Sequence, residues 1–190
     1  MANTENLKKV ITGVVRLSYA HIWEARSING GKPKFGVSLI IPKSDTKTID
    51  KIEAAIQAAY EEGEGKLKGN GKTVPKLASL KTPLRDGDVD RSDDEAYADS
   101  YFVNATSDTA PGIIDLAKKP ITDHSEIYSG VYARVSIDFY AFNSNGNKGI
   151  ACGLNNIQKV RDGVPLGGKS KAEDDFDDDF MGDEDDDYLN

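Results

Sequence analysis

Val131–Phe142 reads VYARVSIDFYAF. Val131, Ala133, Val135, Ile137 and Phe139 are apolar, while Tyr132, Arg134, Ser136, Asp138, Tyr140 and Phe142 alternate with them. A side-chain period of two sustained this long predicts a strand with one face in a core. Asn143-Ser144-Asn145-Gly146-Asn147 follows and predicts a turn, after which Lys148–Val160 pairs back as a second long strand. Working upstream, Leu7–Trp23 alternates in the same manner. Ile11, Val15, Leu17 and Tyr19 are expected on one face, and Thr12, Arg16 and Ser18 on the other. A loop with Asn29-Gly30-Gly31 and Pro33 leads into another strand, Phe35–Pro42. Ser44–Glu62 is the one clear helix. Ser44 or Asp45 caps it, Ile49, Ile52, Ala55, Ile56, Ala59 and Tyr60 form its apolar face, and Gly63 and Gly65 end it. Residues 63–100 read as a long irregular connection, and Tyr101–Ala105 as a short strand. The expected fold is mainly β: an OB-like, mostly antiparallel barrel of five to six strands with one helix.

Charge divides the chain. Of 24 basic and 32 acidic residues, 11 acids and no base lie in Glu173–Asn190, EDDFDDDFMGDEDDDYLN. The body up to Ala172 is therefore about +3, whereas the whole chain is −8. The expected organisation is a domain over 1–168 and a disordered acidic tail over 169–190. A basic body tethered to a polyanion points to a tail that imitates the ligand of the body, a nucleic-acid backbone. The plainer alternative is a tail that only keeps the protein soluble. Apolar side chains spaced among the acids favour a docking peptide for partner proteins: Asp174, Asp175, Phe176, Phe180, Met181, Asp185, Asp186, Asp187, Tyr188 and Leu189. The lone Cys152 forbids an intramolecular disulfide and fits a reducing compartment. The N-terminus lacks an apolar signal core, and no run reaches the roughly 20 apolar residues of a membrane helix. A soluble intracellular protein with no membrane partner is the expectation.

The candidate binding residues are aromatic and basic side chains that interleave. Tyr132, Arg134, Tyr140 and Phe142 share the non-core face of the long strand, and Lys148 follows its turn. Trp23, Arg26, Lys32, Lys34 and Phe35 cluster around the first hairpin loop. Rings on a β-surface beside cations form a stacking platform for unpaired bases, at about 1–3 kcal/mol per base. The same rings would equally pack under the 63–100 connection or join two subunits, so an oligomer stays open. Trp23 would equally cap the core.

Enzymatic motifs fail on spacing. Gly65–Thr73 resembles a phosphate loop, but its first glycine is one residue too distant and it follows a helix. Asp86, Asp88 and Asp90 begin like a calcium loop, but Arg91 replaces the glycine and Tyr97 the bidentate Glu. His21, His124 and Cys152 lack metal-ligand spacing. No cofactor, no metal and no enzymatic activity are expected.

Tyr128–Phe142 and Asn145–Gly168, with Thr82–Asp88 and Tyr101–Ala105 upstream, resemble the phage single-stranded DNA-binding proteins first catalogued as a domain of unknown function. The resemblance spans most of residues 10–170. It implies an OB-fold protein of the bacterial host cytoplasm that binds single-stranded DNA without enzymatic action during phage replication or recombination. The acidic tail is also similar to that of bacterial SSB. There the tail ends on an aromatic or Pro-Phe anchor, whereas Tyr188-Leu189-Asn190 closes this one, which favours a phage-encoded partner. Two other classes compete with this reading. One is a non-DNA-binding interaction or assembly chaperone protein that uses the tail on a basic client. The other is a metal-dependent nuclease built on Asp86, Asp88 and Asp90.

Overall fold

Strands β7 (Tyr132–Ser144) and β8 (Asn147–Arg161) form the longest ladder of the computed structural model, which describes residues 6–27 and 30–166. The predicted turn narrows to Asn145-Gly146, with φ of 51° and 87°. Positive φ at both central residues is what a tight twisted hairpin requires, and Asn-Gly meets it at least cost. Val131, Ala133, Val135, Ile137 and Phe139 are all buried, and Ala141 continues the row.

Upstream, the structure holds β1 (Lys9–Ile11), β2 (Val15–Arg26) and β3 (Lys34–Pro42), then α1 (Thr46–Glu62) and α2 (Glu64–Lys68). Next come β4 (Leu84–Asp86), α3 (Gly87–Asp90), β5 (Ser100–Ser107) and β6 (Gly112–Ile114). β7 pairs β2, β2 pairs β3, β3 pairs β5, β5 pairs β8 and β8 returns to β7. Five strands thus close a ring, with one parallel junction between β5 and β8 at Thr106↔Gly153. This is the OB-type barrel, antiparallel except at that junction and where β6 adds to β8. The described residues contain eight strands rather than five or six. The three extra ones, β1, β4 and β6, are three-residue additions to the ring.

The stretch Leu7–Trp23 is two strands, not one. Thr12 is fully buried where the chain breaks. Its amide and Oγ1 both bond Val135, and the Gly13 amide donates to Thr48 Oγ1 at 2.9 Å. A second interruption follows, where register slips between Ser18↔Ser38 and His21↔Gly36. The expected faces fail at both interruptions. Before the first, Ile11 is exposed while Val10 and Thr12 are buried. Beyond the second, Tyr19 is exposed and Ile22 enters the core in its place, while Ser18 keeps the outward face opposite Ser38 and is buried there. An extra residue in one strand inverts the alternation beyond it.

Helix α1 closes the barrel. Asp45 is its cap, accepting from the Thr48 amide, and Ile49, Ile52, Ala55, Ile56 and Ala59 are buried. It ends at Gly63, where a Cβ would stand 2.3 Å from the Ala141 Cβ, so only glycine lets the helix end meet β7. Gly65 does not end α1; it lies inside the short α2. The expected irregular connection is partly ordered. β4 pairs along β5 and leads into α3, and Tyr97 of the 3₁₀ turn Glu95–Tyr97 packs with Ile40 of β3 and Phe102 of β5 in a small second core on their outer face. Cys152 packs in the main core, and burial pushes its thiol well above the ordinary range. Among the described residues no helix is long and apolar enough to cross a membrane.

Candidate nucleic-acid interface

Outward-facing β7 side chains depend on what lies across the ladder. Tyr140 and Phe142 face Ala151 and Gly149, which leave room for rings. Phe142 lies flat enough on Gly149 that a Cβ there would stand 2.9 Å from the ring. Tyr140 is 42% exposed, and partial burial followed by the Asp138 carboxylate holds its hydroxyl above the ordinary range. At the other end of β7, Tyr132 sits between two guanidinium groups, with Arg161 at 4.3 Å and Arg16 at 5.5 Å from its centroid. Arg16 is held in place by its bonds to the Gly130 carbonyl (3.2 Å) and the Val164 carbonyl (2.6 Å). Arg134 is exposed, with Nε donating to the Thr12 carbonyl at the break between β1 and β2.

The first hairpin arranges its residues differently. Arg26 and Lys34 are cross-strand partners and both are exposed. Arg26 Nη1 donates to His21 Nε2 at 3.3 Å, and burial followed by that guanidinium lowers the His21 pKa. A neutral imidazole is the form that can accept this bond. Lys32 pairs with Asp108 at 3.4 Å, both well exposed, a contact of little energetic weight. Phe35 is half-buried opposite Ser107. Trp23 is engaged within the protein: its indole donates to the Ile127 carbonyl and its ring stacks on His124 at 4.3 Å.

The ten side chains therefore do not form one patch. β3 runs antiparallel to β5, and β5 parallel to β8, so the β2–β3 hairpin and the β7–β8 turn project from opposite ends of the barrel. Arg26, Lys32, Lys34 and Phe35 lie at one end, Tyr140, Phe142 and Lys148 at the other. Tyr132 and Arg134 lie on the wall between them. The candidate tail residues fall outside the described residues.

Periodicity did not single out several cations. Arg16 and Arg161 become a pair only when β2 and β8 reach β7 from opposite sides. Arg85 and Arg91 stand 5.4 and 5.2 Å from the Phe102 ring on the outer face of β5. Tyr19 and His21 face outward only because of the register slip. The three aspartates of the calcium-like stretch are engaged otherwise. Asp86 caps α3 and pairs with Lys43 (2.9 Å), Asp88 pairs with Lys43 (2.7 Å), and Asp90 pairs with Arg85 (3.0 Å). No group of three or more His, Cys, Asp or Glu among the described residues is placed to hold a metal.

The chain is thus a small closed barrel with aromatic rings beside arginines on its surface, and known proteins share the fold. The structure superposes on the single-stranded DNA-binding protein from bacteriophage Enc34 in complex with ssDNA, with a TM-score of 0.69 and 25% identity. That match covers 84% of this chain and 90% of the other. It also matches gp2.5, a single-stranded DNA-binding protein encoded by bacteriophage T7, at 15% identity and a TM-score of 0.58. This match covers 87% of this chain and 98% of the other, and at that identity it shows the fold alone. A putative protein p50 of Acyrthosiphon pisum secondary endosymbiont phage 1 is 31% identical over 185 residues, covering 93% of this chain and 96% of the relative. The family model described as Enterobacter phage Enc34, ssDNA-binding protein, matches residues 8–189. The chain belongs to this phage ssDNA-binding protein family.

Proposed function

We propose that this protein binds single-stranded DNA without sequence preference during phage DNA replication or recombination, and that it performs no chemistry on the strand. Tyr132 between Arg16 and Arg161 is the observation that carries the reading: a partly exposed ring that gathers two cations on the barrel wall, where they are placed for phosphates. Around it, Arg134, Tyr140, Phe142 and Lys148 extend the surface along β7 and its turn. Arg26, Lys32, Lys34 and Phe35 extend it along the first hairpin. Trp23 supports the hairpin through His124 and the Ile127 carbonyl.

Residues 1–168 form the binding domain, and 169–190 compete with DNA for its cationic surface. Eleven carboxylates on a chain whose body is about +3 supply the charge for that competition. DNA frees the tail, whose Phe176, Phe180, Tyr188 and Leu189 then recruit replication or recombination proteins. The coupling is reciprocal, so a partner that holds the tail tightens DNA binding.

The test is the binding of a fluorescent oligo(dT) across a salt series, by the full chain and by a chain ending at Ala172. The expected result is tighter binding by the shorter chain, the two converging as salt rises and screens the tail. Absence of binding by both chains would overturn the reading. Equal binding at low salt would remove the competing tail and leave the DNA surface.

A further inference from the structure

Where β2 slips its register, the chain does something costly. Tyr19 has φ of 46°, in the left-handed region that an aromatic residue rarely enters. The slip inserts one extra residue between Ser18↔Ser38 and His21↔Gly36, and the next amide, that of Ala20, leaves the ladder to bond Ser129 Oγ at 3.1 Å. The outcome is a tyrosine that strand alternation would have buried, now 56% exposed. Strain of this kind persists where the surrounding structure holds it, commonly at binding sites.

The exposed ring stands at the mouth of a 440 Å³ pocket formed with Ser18, His21, Asp94, Ser129 and Leu166. That volume lies within the ~300–1,000 Å³ of small-ligand sites. Three features fit a flat heterocycle better than a phosphate. His21 presents an imidazole beside Arg26, opposite Gly36, which has no side chain to fill the space. The Asp94 carboxylate in the lining repels phosphate and accepts from a base N–H, the thymine imide included. Leu166 supplies an apolar wall, fixed by the hydrogen bond its backbone N–H donates to the Ser129 carbonyl at 2.8 Å. The pocket opens on the outer side of β2, with Arg26 and Lys34 further along the hairpin and Arg16 earlier on the same strand.

We infer that this pocket receives one unstacked nucleobase of a bound single strand, stacked on Tyr19. The inference rests on the single-stranded DNA reading above and adds a base site that the aromatic–basic pattern did not contain.

The experiment compares the full chain with Tyr19→Gly, which removes the ring and suits the positive φ, and with Tyr19→Phe, which keeps the ring. Each is titrated with oligo(dT) and with an abasic strand of equal length, after thermal unfolding has shown that the fold is retained. Tyr19→Gly is expected to weaken oligo(dT) binding about 5- to 150-fold, the range of one lost base stack, and to leave abasic binding unchanged. Tyr19→Phe is expected to bind both strands as the parent does. Parental oligo(dT) affinity in Tyr19→Gly, or equal losses on the two strands, overturns the base pocket while leaving DNA binding intact. A parent that binds neither strand overturns the DNA-binding reading and the pocket with it.

Discussion

β7–β8 and β2–β3 are both long hairpins with two register slips each, yet only one strand in each pair bears the slips. Between Tyr132↔Arg161 and Ala133↔Lys159, and again between Ser136↔Asn156 and Ile137↔Leu154, the surplus residue lies on β8. β7 therefore keeps its alternation from end to end. β8 does not: Ile150, Cys152 and Leu154 face the core, and beyond the slip Ile157 takes over. In the other hairpin the surplus falls on β2, so Val15 and Leu17 face inward and then Ile22 does. A bulge leaves its partner strand's pattern intact and inverts its own. The regular strand presents a row of side chains along a wall. The bulged one turns single residues out of the row, and these are the positions where a barrel forms a pocket.

Substitution at two positions of equal apparent rank would break this comparison most severely. By alternation alone, Phe139 in β7 and Tyr19 in β2 both belong to the core. Phe139→Ala is expected to cost about 3–5 kcal/mol in urea unfolding, the loss of a buried ring. Tyr19→Ala is expected to stay within about 0.5 kcal/mol, as an exposed position does. A large loss at Tyr19 would mean that the ring is buried and the bulge misplaced. The turn of the regular hairpin offers a smaller effect. Gly146→Ala places a side chain at φ of 87° and is expected to cost about 1–2 kcal/mol in the same measurement.

Binding sharpens the comparison next. Arg134→Ala removes one cation from the β7 wall. Its expected signature is a modest loss of oligo(dT) affinity with a salt slope shallower by about 0.7, the share of one phosphate on a single strand. Parental affinity together with a parental slope would take the β7 wall out of the DNA path and leave the β2 face. The smallest effect lies in acid, at the segment covering the outer face of β5. Asp88 is held below its ordinary value of 3.8, first by the bond from Lys43 and then by the Asp99 amide. A depressed carboxyl stabilises the fold above its ordinary value and ceases to as pH falls through the folded one. Lys43→Met should therefore be slightly less stable than the parent at neutral pH. The gap should close below pH 3.8 in parallel unfolding curves. A gap that stays constant into acid would show that Lys43 acts through its packing on Tyr101 instead.

Much of the scaffold was legible because the relevant forces are local. Asn145-Gly146 encodes a positive-φ turn by itself, and Asp45 with the Ile49–Ala59 stripe encodes a capped amphipathic helix. The covering segment was not legible. Tyr97 is fully buried only because its hydroxyl reaches Ser38, 59 positions earlier in the chain, and its ring meets Phe102 edge-on. The candidate site was legible in composition but not in arrangement. The aromatic and basic residue types were visible, whereas Arg16 and Arg161 flank Tyr132 only after β2 and β8 dock on either side of β7.

From sequence alone came the strand periods, the capped helix, the tight turn and the split between a basic body and an acidic end. Each depends on residues close in the chain or on summed charge. Ring closure at Thr106↔Gly153, the inversion of β2 at Tyr19 and the bracketing of Tyr132 were decided by the tertiary structure. The physical reason is that a bulge and a strand neighbour are chosen by side chains packing across the barrel, a competition between distant residues that no local period records.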